Sequence, residues 1–448
     1  MPLLLTLLGI LGLIFLIAYV QLDTFISFIL VSLAIGLASG MDVPAVGKAI
    51  QTGIGGTLGD VVLIIGFGAM LGRIVAESGA ARQITNVLIG WFGVRYIRWG
   101  LALAGFIIGI PLFYNAGFII VVPLIFTIAA SAGLPLLTVA IPMLSALSVA
   151  HGYLPPHPSP AAIASQLDAS VGRTLLYGIL VAAPAIIIAG PLFGKTLTRY
   201  NPRPDRDLFN IRDVPTTDLP GTGVSFFVAL LPVVLLTVFG PLKTYLLTPV
   251  GTAPVRAASA GGKLLTLLAE PYMGMLLSVL GAVYLLGLRR GQSMKAVMKD
   301  LEEAIKAASP ILLVIAGAGA LKQIFNDSGT SKYIGELLTG VTVSPLLLSW
   351  GMAALIRVCV GSATIAGFTT VSIMLPIIQA HPEISPELMV LAIGSGSLML
   401  SHINDPGFWL FKEYFNLSIS DTLRTWTVME TIVSVVGLLG VLALSLVV

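Results

Sequence analysis

The residues best suited to chemistry lie in two short, proline-rich segments. The first is His151-Gly-Tyr-Leu-Pro-Pro-His-Pro-Ser-Pro160, and the second, 251 positions beyond His151, is centred on His402 in Ser401-His-Ile-Asn-Asp-Pro-Gly407. Imidazole, hydroxyl, amide and carboxylate groups there adjoin breaks in helical backbone, so both segments can bind a polar solute or carry a proton. Such breaks leave backbone groups without partners in lipid, and they therefore indicate a polar site enclosed by protein.

Composition shows which elements must hold these segments. Hydrophobic residues make up 56% of the chain and charged residues 10%, whereas soluble domains carry about 25% charged residues. The 69 residues between Arg98 and Asp168 contain no Asp, Glu, Lys or Arg, which is enough for about three membrane crossings. The first apolar run, Leu3 to Val20, lacks the features of a signal peptide and is interpreted as a retained helix. The sequence predicts a polytopic membrane protein and no nucleic-acid binder.

An internal repeat relates the two segments. Residues 61–90 align with 311–340 without a gap and share nine identities, and nearly the same offset pairs His151 with His402 and Pro155 with Pro406. A duplication explains this agreement better than chance does. The predicted organisation is a first transmembrane repeat at 1–194, a cytoplasmic linker at 195–222 and a second repeat at 223–448.

Each repeat contains one ambiguous segment, 98–131 or 343–381, followed by a proline-broken helix at 134–168 or 386–418. The ambiguous segments have short arms, so we expect re-entrant hairpins, although two full crossings are the alternative. The predicted fold is an all-α polytopic membrane protein with two inverted repeats, each of about five transmembrane helices plus one re-entrant hairpin and one broken helix. The remaining helices are placed at 3–20, 23–40, 57–77, 172–193, 223–242, 268–288, 308–327 and 425–448, with connectors at 41–56 and 289–307.

The distribution of basic residues predicts the orientation. The face that holds the linker carries 15 Lys or Arg, and the opposite face carries six. Since basic residues are enriched in cytoplasmic loops, the first face is predicted to be cytoplasmic and both termini outside. The first hairpin then enters from the cytoplasm and the second from outside.

Opposed hairpin tips and broken helices are expected to meet near the bilayer midplane, where helix N-termini suit a carboxylate. The groups available there donate and accept many hydrogen bonds but carry little fixed charge, which fits a small polyhydroxylated anion. Asp405 is the leading proton site, and His151 and His402 are the other candidates. The predicted solute-binding residues are Tyr114, Asn115, His151, His157, Ser159, Arg357, Ser362, Thr364, His402, Asn404 and Asp405.

Each of these residues also has a structural interpretation. Asp405 can cap a helix or form an ion pair with Arg357 or Lys412. Arg357 itself can bind a substrate carboxylate or serve only in that ion pair. Ser362 and Thr364 can be small residues that permit close helix packing, and the histidines can cap helix ends or lie in a loop.

Motifs for enzymatic chemistry are missing from the sequence. It contains no His-Glu-x-x-His, no Gly-x-Ser-x-Gly and no phosphate-binding Gly-x-x-x-x-Gly-Lys-[Ser/Thr]. The histidine spacing does not suit one helix face, and the single Cys359 supplies no thiolate cluster. We expect no enzyme, no cofactor and no metal site.

Four runs resemble the gluconate permease (gluconate:proton symporter) family over essentially the whole chain. They are Gly66-Phe-Gly-Ala-Met-Leu-Gly72, His151-Gly-Tyr-Leu-Pro-Pro-His-Pro158, Gly361-Ser-Ala-Thr364 and Ser401-His-Ile-Asn-Asp-Pro-Gly-Phe-Trp-Leu-Phe-Lys-Glu-Tyr-Phe-Asn416. The resemblance implies import of gluconate or a related sugar acid with protons across the bacterial cytoplasmic (inner) membrane. It also implies a homodimer with paired hairpins and an elevator-type moving domain.

Two positions depart from the family pattern. Asn115 stands where Glu is common, so Asn115 cannot carry the coupled proton, and Ser159 stands where Gly is expected. Sodium coupling, or another substrate such as a dicarboxylate or a hydroxy amino acid, is therefore kept as the alternative. The alternative hypothesis from another functional class is a passive channel or a membrane-embedded enzyme.

Overall fold

The computed structural model describes residues 2–200, 218–247, 260–330, 333, 344–381, 383–403 and 405–448. Helices dominate these ranges, which contain no β-strand. The helices of the first part are α1 Pro2–Ile14, α2 Thr24–Ala38, α3 Val43–Glu77, α4 Ala80–Phe92, α5 Ile97–Gly109, α6 Tyr114–Ala132, α7 Leu136–Tyr153, α8 Pro158–Gln166, α9 Val171–Ile187 and the short α10 Phe193–Lys195. Those of the second part are α11 Thr222–Leu247, α12 Ala260–Leu268, α13 Pro271–Ala282, α14 Met294–Asp327, α15 Pro345–Val360, α16 Ala363–Ala380, α17 Pro386–Gly396, α18 Pro406–Tyr414, α19 Ile419–Thr422 and α20 Val428–Leu444.

The helices form two compact units that each draw on distant parts of the sequence. The first unit comprises Met1–Val62, Pro158–Ala169 and Ser309–Val448, and the second comprises Leu63–His157 and Ser170–Ala308. The chain passes from the second unit to the first between His157 and Pro158, inside the first proline-rich segment. The second proline-rich segment lies wholly in the first unit.

Side-chain caps define several helix starts. The Asp23 carboxylate accepts a hydrogen bond from the Ile26 amide at 3.1 Å, and the Ser170 hydroxyl accepts one from the Arg173 amide at 3.4 Å. These contacts satisfy backbone N–H groups that have no partner within the helix. Asp and Ser just before an apolar run are therefore sufficient local reasons for α2 and α9 to begin where they do.

Two segments predicted to be connectors are helical. Residues 41–56 belong largely to α3, whose start is fixed by the Asp42 carboxylate accepting from the Ala45 amide at 2.7 Å. Residues 289–307 belong largely to α14, where the Lys306 ammonium lies 2.9 Å from the Glu302 carboxylate one turn earlier. The prediction of connectors was wrong, because the cap at Asp42 and the i,i+4 ion pair of Lys306 favour helix in these segments.

The apolar helices match the predicted polytopic membrane protein. Among the described residues, six helices are long and apolar enough to cross a membrane, or up to eight if each of two bent pairs is one span. The six are Leu136–Gln166, Val171–Arg199, Thr222–Phe239, Pro271–Arg290, Met294–Asp327 and Ile419–Leu444. The all-α fold class is thus confirmed, while the inverted relation of the two repeats stays a prediction.

Both predicted hairpins are pairs of helices with a short break. Residues 110–113 separate α5 from α6, and Gly361 and Ser362 separate α15 from α16. At 1.5 Å per residue, α5 is about 20 Å long and α15 about 24 Å, both shorter than the roughly 30 Å hydrocarbon core. The second arms, α6 with 19 residues and α16 with 18, are close to that thickness, so the re-entrant hairpins stay a prediction. Most of the predicted linker, 201–217, lies outside the described residues.

Candidate functional site

Prolines end α7 and start α8 within the first proline-rich segment. The Pro155–Pro156 peptide bond is cis, and the His157 amide donates to the Leu154 carbonyl at 3.1 Å. Without backbone N–H groups, consecutive prolines cannot continue the helical ladder. The break thus turns the His157 side chain towards α5, where its Nε2 lies 2.7 Å from the Gly109 carbonyl oxygen.

This contact orients the imidazole of His157. Since a carbonyl oxygen only accepts, Nε2 is the nitrogen that donates, and in the neutral ring Nδ1 is then an acceptor. Nδ1 is buried and has no hydrogen-bond partner among the described residues. His157 is therefore held by a backbone carbonyl on one side and presents an acceptor nitrogen on the other.

Three predicted residues come together around His157 in the second unit. The His151 ring packs edge-on against the His157 ring with centroids 5.4 Å apart, and the Tyr114 ring lies 5.9 Å from that of His151. Close packing of α5 on α7 makes this possible, since a Cβ at Gly105 would lie 2.4 Å from the Met143 carbonyl oxygen. These residues form the histidine cluster, defined as Tyr114, His151 and His157.

Asn115 follows Tyr114 in the first turn of α6, but its side chain is outside the described part of the structure. Its predicted role as a substrate ligand stays a prediction.

The second proline-rich segment holds an ion pair in the first unit. The Arg357 guanidinium on α15 donates from Nη2 to the Asp405 carboxylate oxygen Oδ2, and both residues are buried, at 4% and 8% exposure. The other oxygen, Oδ1, accepts from the Gly407 amide at 2.9 Å and caps α18. Asp405 is therefore both a helix cap and the ion-pair partner of Arg357. Lys412 instead lies 2.7 Å from Glu413.

Arg357 uses only part of its donor capacity. Its Nε and Nη1 atoms are buried and have no hydrogen-bond partner in the described portion of the chain. An unpaired buried donor is unfavourable by about 1–3 kcal/mol, and more for a charged group. The guanidinium can therefore accept an anionic ligand without releasing Asp405.

A residue that the sequence did not single out completes this network. The Ser401 hydroxyl donates to Oδ2 of Asp405 and accepts from Trp426 Nε1 at 2.7 Å, while the Ser401 carbonyl accepts from the Thr427 hydroxyl. Ser401 lies within the predicted segment, so its position was a usable signal. Trp426 carried no local signal, because it is 25 positions away and reaches Ser401 only through packing.

The break between α15 and α16 lies beside the same ion pair. Gly361, four residues after Arg357, has φ +79°, a backbone conformation that suits glycine. The Ser362 hydroxyl then accepts from the Ile365 amide at 3.4 Å and caps α16. His402 Nε2 lies 3.1 Å from the Val358 carbonyl oxygen, which ties the break to the hairpin.

The accessibility of the tip residues differs from that of the ion pair. Ser362, Thr364 and His402 are partly exposed, whereas Arg357 and Asp405 are buried. Asn404 lies outside the described residues. We define the arginine cluster as Arg357, Ser362, Thr364, Ser401, His402 and Asp405.

Ser159 belongs to the first unit and contacts the second hairpin. It is the second residue of α8, and a Cβ at Gly367 on α16 would lie 2.7 Å from its hydroxyl oxygen. The first turn of α8 therefore touches α16 at its fifth residue. The Ser159 hydroxyl is buried, with no hydrogen-bond partner within the described ranges. It is thus a second polar group that can meet a ligand near helix N-termini.

The predicted site residues whose side chains the structure describes thus fall into the histidine cluster of one unit and the arginine cluster, with Ser159, of the other. No group of three or more His, Cys, Asp or Glu side chains in the described ranges is arranged to hold a metal ion. Spanning apolar helices with broken helices and a buried ion pair are typical of a polytopic membrane transporter.

The sequence comparisons identify the family. The family model for the GntP family permease matches residues 1–447, so the chain belongs to that family. The Gnt-II system L-idonate transporter of Escherichia coli (strain K12) is 44% identical and covers 99% of both chains. A high-affinity gluconate transporter of the same organism is 44% identical over 100% of both chains, and a gluconate permease of Bacillus subtilis (strain 168) is 42% identical over 100% of both.

Solved transporter structures share the fold. The YdaH transporter of Alcanivorax borkumensis matches with a TM-score of 0.63 and 19% identity, over 94% of this chain and 96% of that chain. MtrF of Neisseria gonorrhoeae matches with a TM-score of 0.66 and 14% identity, over 95% of this chain and 94% of that one. At these identities the likeness concerns the fold alone.

Proposed function

We propose that this permease is a secondary active symporter that imports gluconate, or a closely related sugar acid, with protons. One observation carries the proposal: the buried Arg357 guanidinium is held by Asp405, yet has two donor nitrogens without partners among the described residues. Arginine is well matched to a carboxylate, with which it forms short, charge-assisted hydrogen bonds. The relatives named as gluconate and L-idonate transporters supply the substrate class.

The groups around Arg357 suit the rest of a sugar acid. Ser362, Thr364 and His402 are partly exposed at the hairpin tip and can exchange hydrogen bonds with several hydroxyl groups. Asn404 and Ser159 are proposed to extend that set. Tyr114, Asn115, His151 and His157 remain the proposed substrate ligands of the other unit, with His151 and His402 as further proton candidates.

The setting of this site is also proposed. The permease is placed in the bacterial cytoplasmic membrane as a homodimer with both termini outside, and its two inverted repeats support an elevator-type alternation of access. The surplus of basic residues on the face of the 195–222 linker supports the orientation. Paired hairpins and broken helices support the repeat assignment.

Competition for uptake tests the substrate class. Proteoliposomes containing the purified permease are given labelled gluconate with an imposed inward proton gradient. We expect unlabelled gluconate and L-idonate to compete, and glucose, which has no carboxylate, and acetate, which has no hydroxyl, to compete weakly. Strong competition by glucose would show that the carboxylate is not recognised.

Variants of arginine then test the site itself. Arg357→Lys is expected to raise the gluconate concentration needed for half-maximal uptake, because an ammonium cannot bond Asp405 and a substrate carboxylate with the geometry of a guanidinium. Arg424→Lys on the same unit is the matched control, because Arg424 is exposed. Equal uptake by both variants would remove Arg357 from the binding site.

A further inference from the structure

The charges of the arginine cluster suggest how substrate and proton are coupled. Arg357 and Asp405 form a buried pair with no net charge. A substrate carboxylate bound at Nε and Nη1, which have no partner among the described residues, would place a second negative charge beside that of Asp405. A buried site with one uncompensated negative charge is strongly unfavourable.

We propose that Asp405 accepts one proton when the substrate carboxylate binds Arg357, so that the loaded site is neutral. The inference deepens the proposed function and rests on it. No covalent bond in the substrate changes: a proton moves from water to the Asp405 carboxylate, and the guanidinium gains hydrogen bonds to the substrate. Release on the other side reverses both steps. Neither the proton nor the anion then crosses favourably without the other.

Ser401 allows Asp405 to be satisfied in both protonation states. A hydroxyl both donates and accepts, so Ser401 donates to Oδ2 of ionised Asp405 and can accept from it after protonation. Trp426 Nε1 and the Thr427 hydroxyl hold Ser401 in place, and the Gly407 amide bonds Oδ1 in either state. Ser401 and Trp426 are therefore positioning residues for the proton site.

Other titratable groups near this break must be distinguished from Asp405. His402 lies in the break itself. The other titratable or charged groups are Glu387 in α17, Lys412 and Glu413 in α18, His381 just after α16, and Asp421, Arg424 and Glu430 from α19 to the first turn of α20. Glu387 and Glu430 are buried, at 1% and 2% exposure, and the Ser385 hydroxyl donates to Glu387 at 2.6 Å. Glu430 in α20 is the strongest rival as a proton carrier, because a buried carboxylate in a membrane helix is a functional candidate.

The pH dependence of gluconate binding tests the coupling. Labelled gluconate is bound at equilibrium to the purified full-length permease in lipid nanodiscs between pH 5.5 and 7.5. If binding takes up one proton, the dissociation constant of the wild type rises by up to about tenfold per pH unit. Asp405→Asn, which keeps an oxygen for the Gly407 amide, is expected to bind gluconate with less than about a twofold change over the same range.

Proton uptake provides a second, direct readout. Adding gluconate to the permease in weakly buffered solution should remove one proton from solution per gluconate bound in the wild type and in Glu430→Gln, and none in Asp405→Asn. Asp405→Glu should restore proton uptake. In proteoliposomes Asp405→Asn should lose proton-driven accumulation of gluconate, whereas Glu430→Gln should keep it.

Four outcomes are distinguished. The inference would be overturned if Asp405→Asn still showed the pH dependence of the dissociation constant and the proton uptake of the wild type. Loss of both in Glu430→Gln alone would identify Glu430 as the proton carrier. If Asp405→Asn does not fold, Glu430→Gln still decides between the two carboxylates, because it keeps proton uptake if Asp405 is the carrier and loses it if Glu430 is. A wild type that binds neither gluconate nor L-idonate at any pH would refute the proposed function itself.

Discussion

The ion pair between Arg357 and Asp405 makes a quantitative prediction for stability. Replacing Arg357 by Gln leaves the Asp405 carboxylate buried without its cation, and breaking a buried pair in this way destabilises a protein by about 3–5 kcal/mol. Replacing Asp405 by Asn leaves the buried guanidinium without its anion, and we expect a loss of the same order. Together, Arg357→Gln and Asp405→Asn remove both charges, so the double variant should be more stable than the sum of the single losses predicts.

A double-mutant cycle measures that coupling. The unfolding free energy of each variant in detergent micelles, followed by tryptophan fluorescence during denaturation, should give a coupling energy of about 2–3 kcal/mol, high in the range for residues in contact. Arg424→Gln is the control, and since it is exposed its effect should stay within about 0.5 kcal/mol. Additive single losses would refute the buried pair as the structure presents it.

Further predictions concern packing around the two clusters. Gly105→Ala places a Cβ 2.4 Å from the Met143 carbonyl oxygen, and the overpacking should destabilise the permease by about 1–3 kcal/mol in the same denaturation assay; an unchanged stability would contradict the close contact of α5 and α7. Gly361→Ala places a side chain at φ +79° and should destabilise the permease by about 1–2 kcal/mol. Gly351→Ala, with open space at its Cβ, should be neutral or slightly stabilising. The melting temperatures of the two variants test both expectations. His157→Phe removes the bond to the Gly109 carbonyl and should be unfavourable by about 1–3 kcal/mol, with a smaller effect expected of His157→Asn if its amide reaches that carbonyl.

The sequence predicted the features that depend on local chemistry. Prolines cannot continue a helix, so the breaks after α7 and before α18 followed from their spacing. Asp405 directly before Pro406 is a typical helix-cap arrangement, and the cap is present. The ion pair with Arg357 was one of two alternatives, because 48 intervening positions gave no means of choosing between Arg357 and Lys412.

What depends on tertiary packing was not predicted. The contact between Ser401 and Trp426 needs the helix leading into α20 to pack beside the break, and neither residue carries a pattern that indicates it. The contact between His151 and His157 likewise depends on how the chain turns between α7 and α8 and on the close approach of α5. The extent of α14 was missed for a different reason, since its charged first half forms ion pairs along one helix face.

The accumulation of gluconate in sodium-free proteoliposomes tests the central proposal most directly. A symport of one proton with one monovalent anion carries no net charge, so the ratio of internal to external gluconate should rise by up to about tenfold per unit of imposed pH difference and should not change when the membrane potential is clamped at different values. Accumulation that requires sodium, that follows the membrane potential, or that does not occur under any gradient would contradict it.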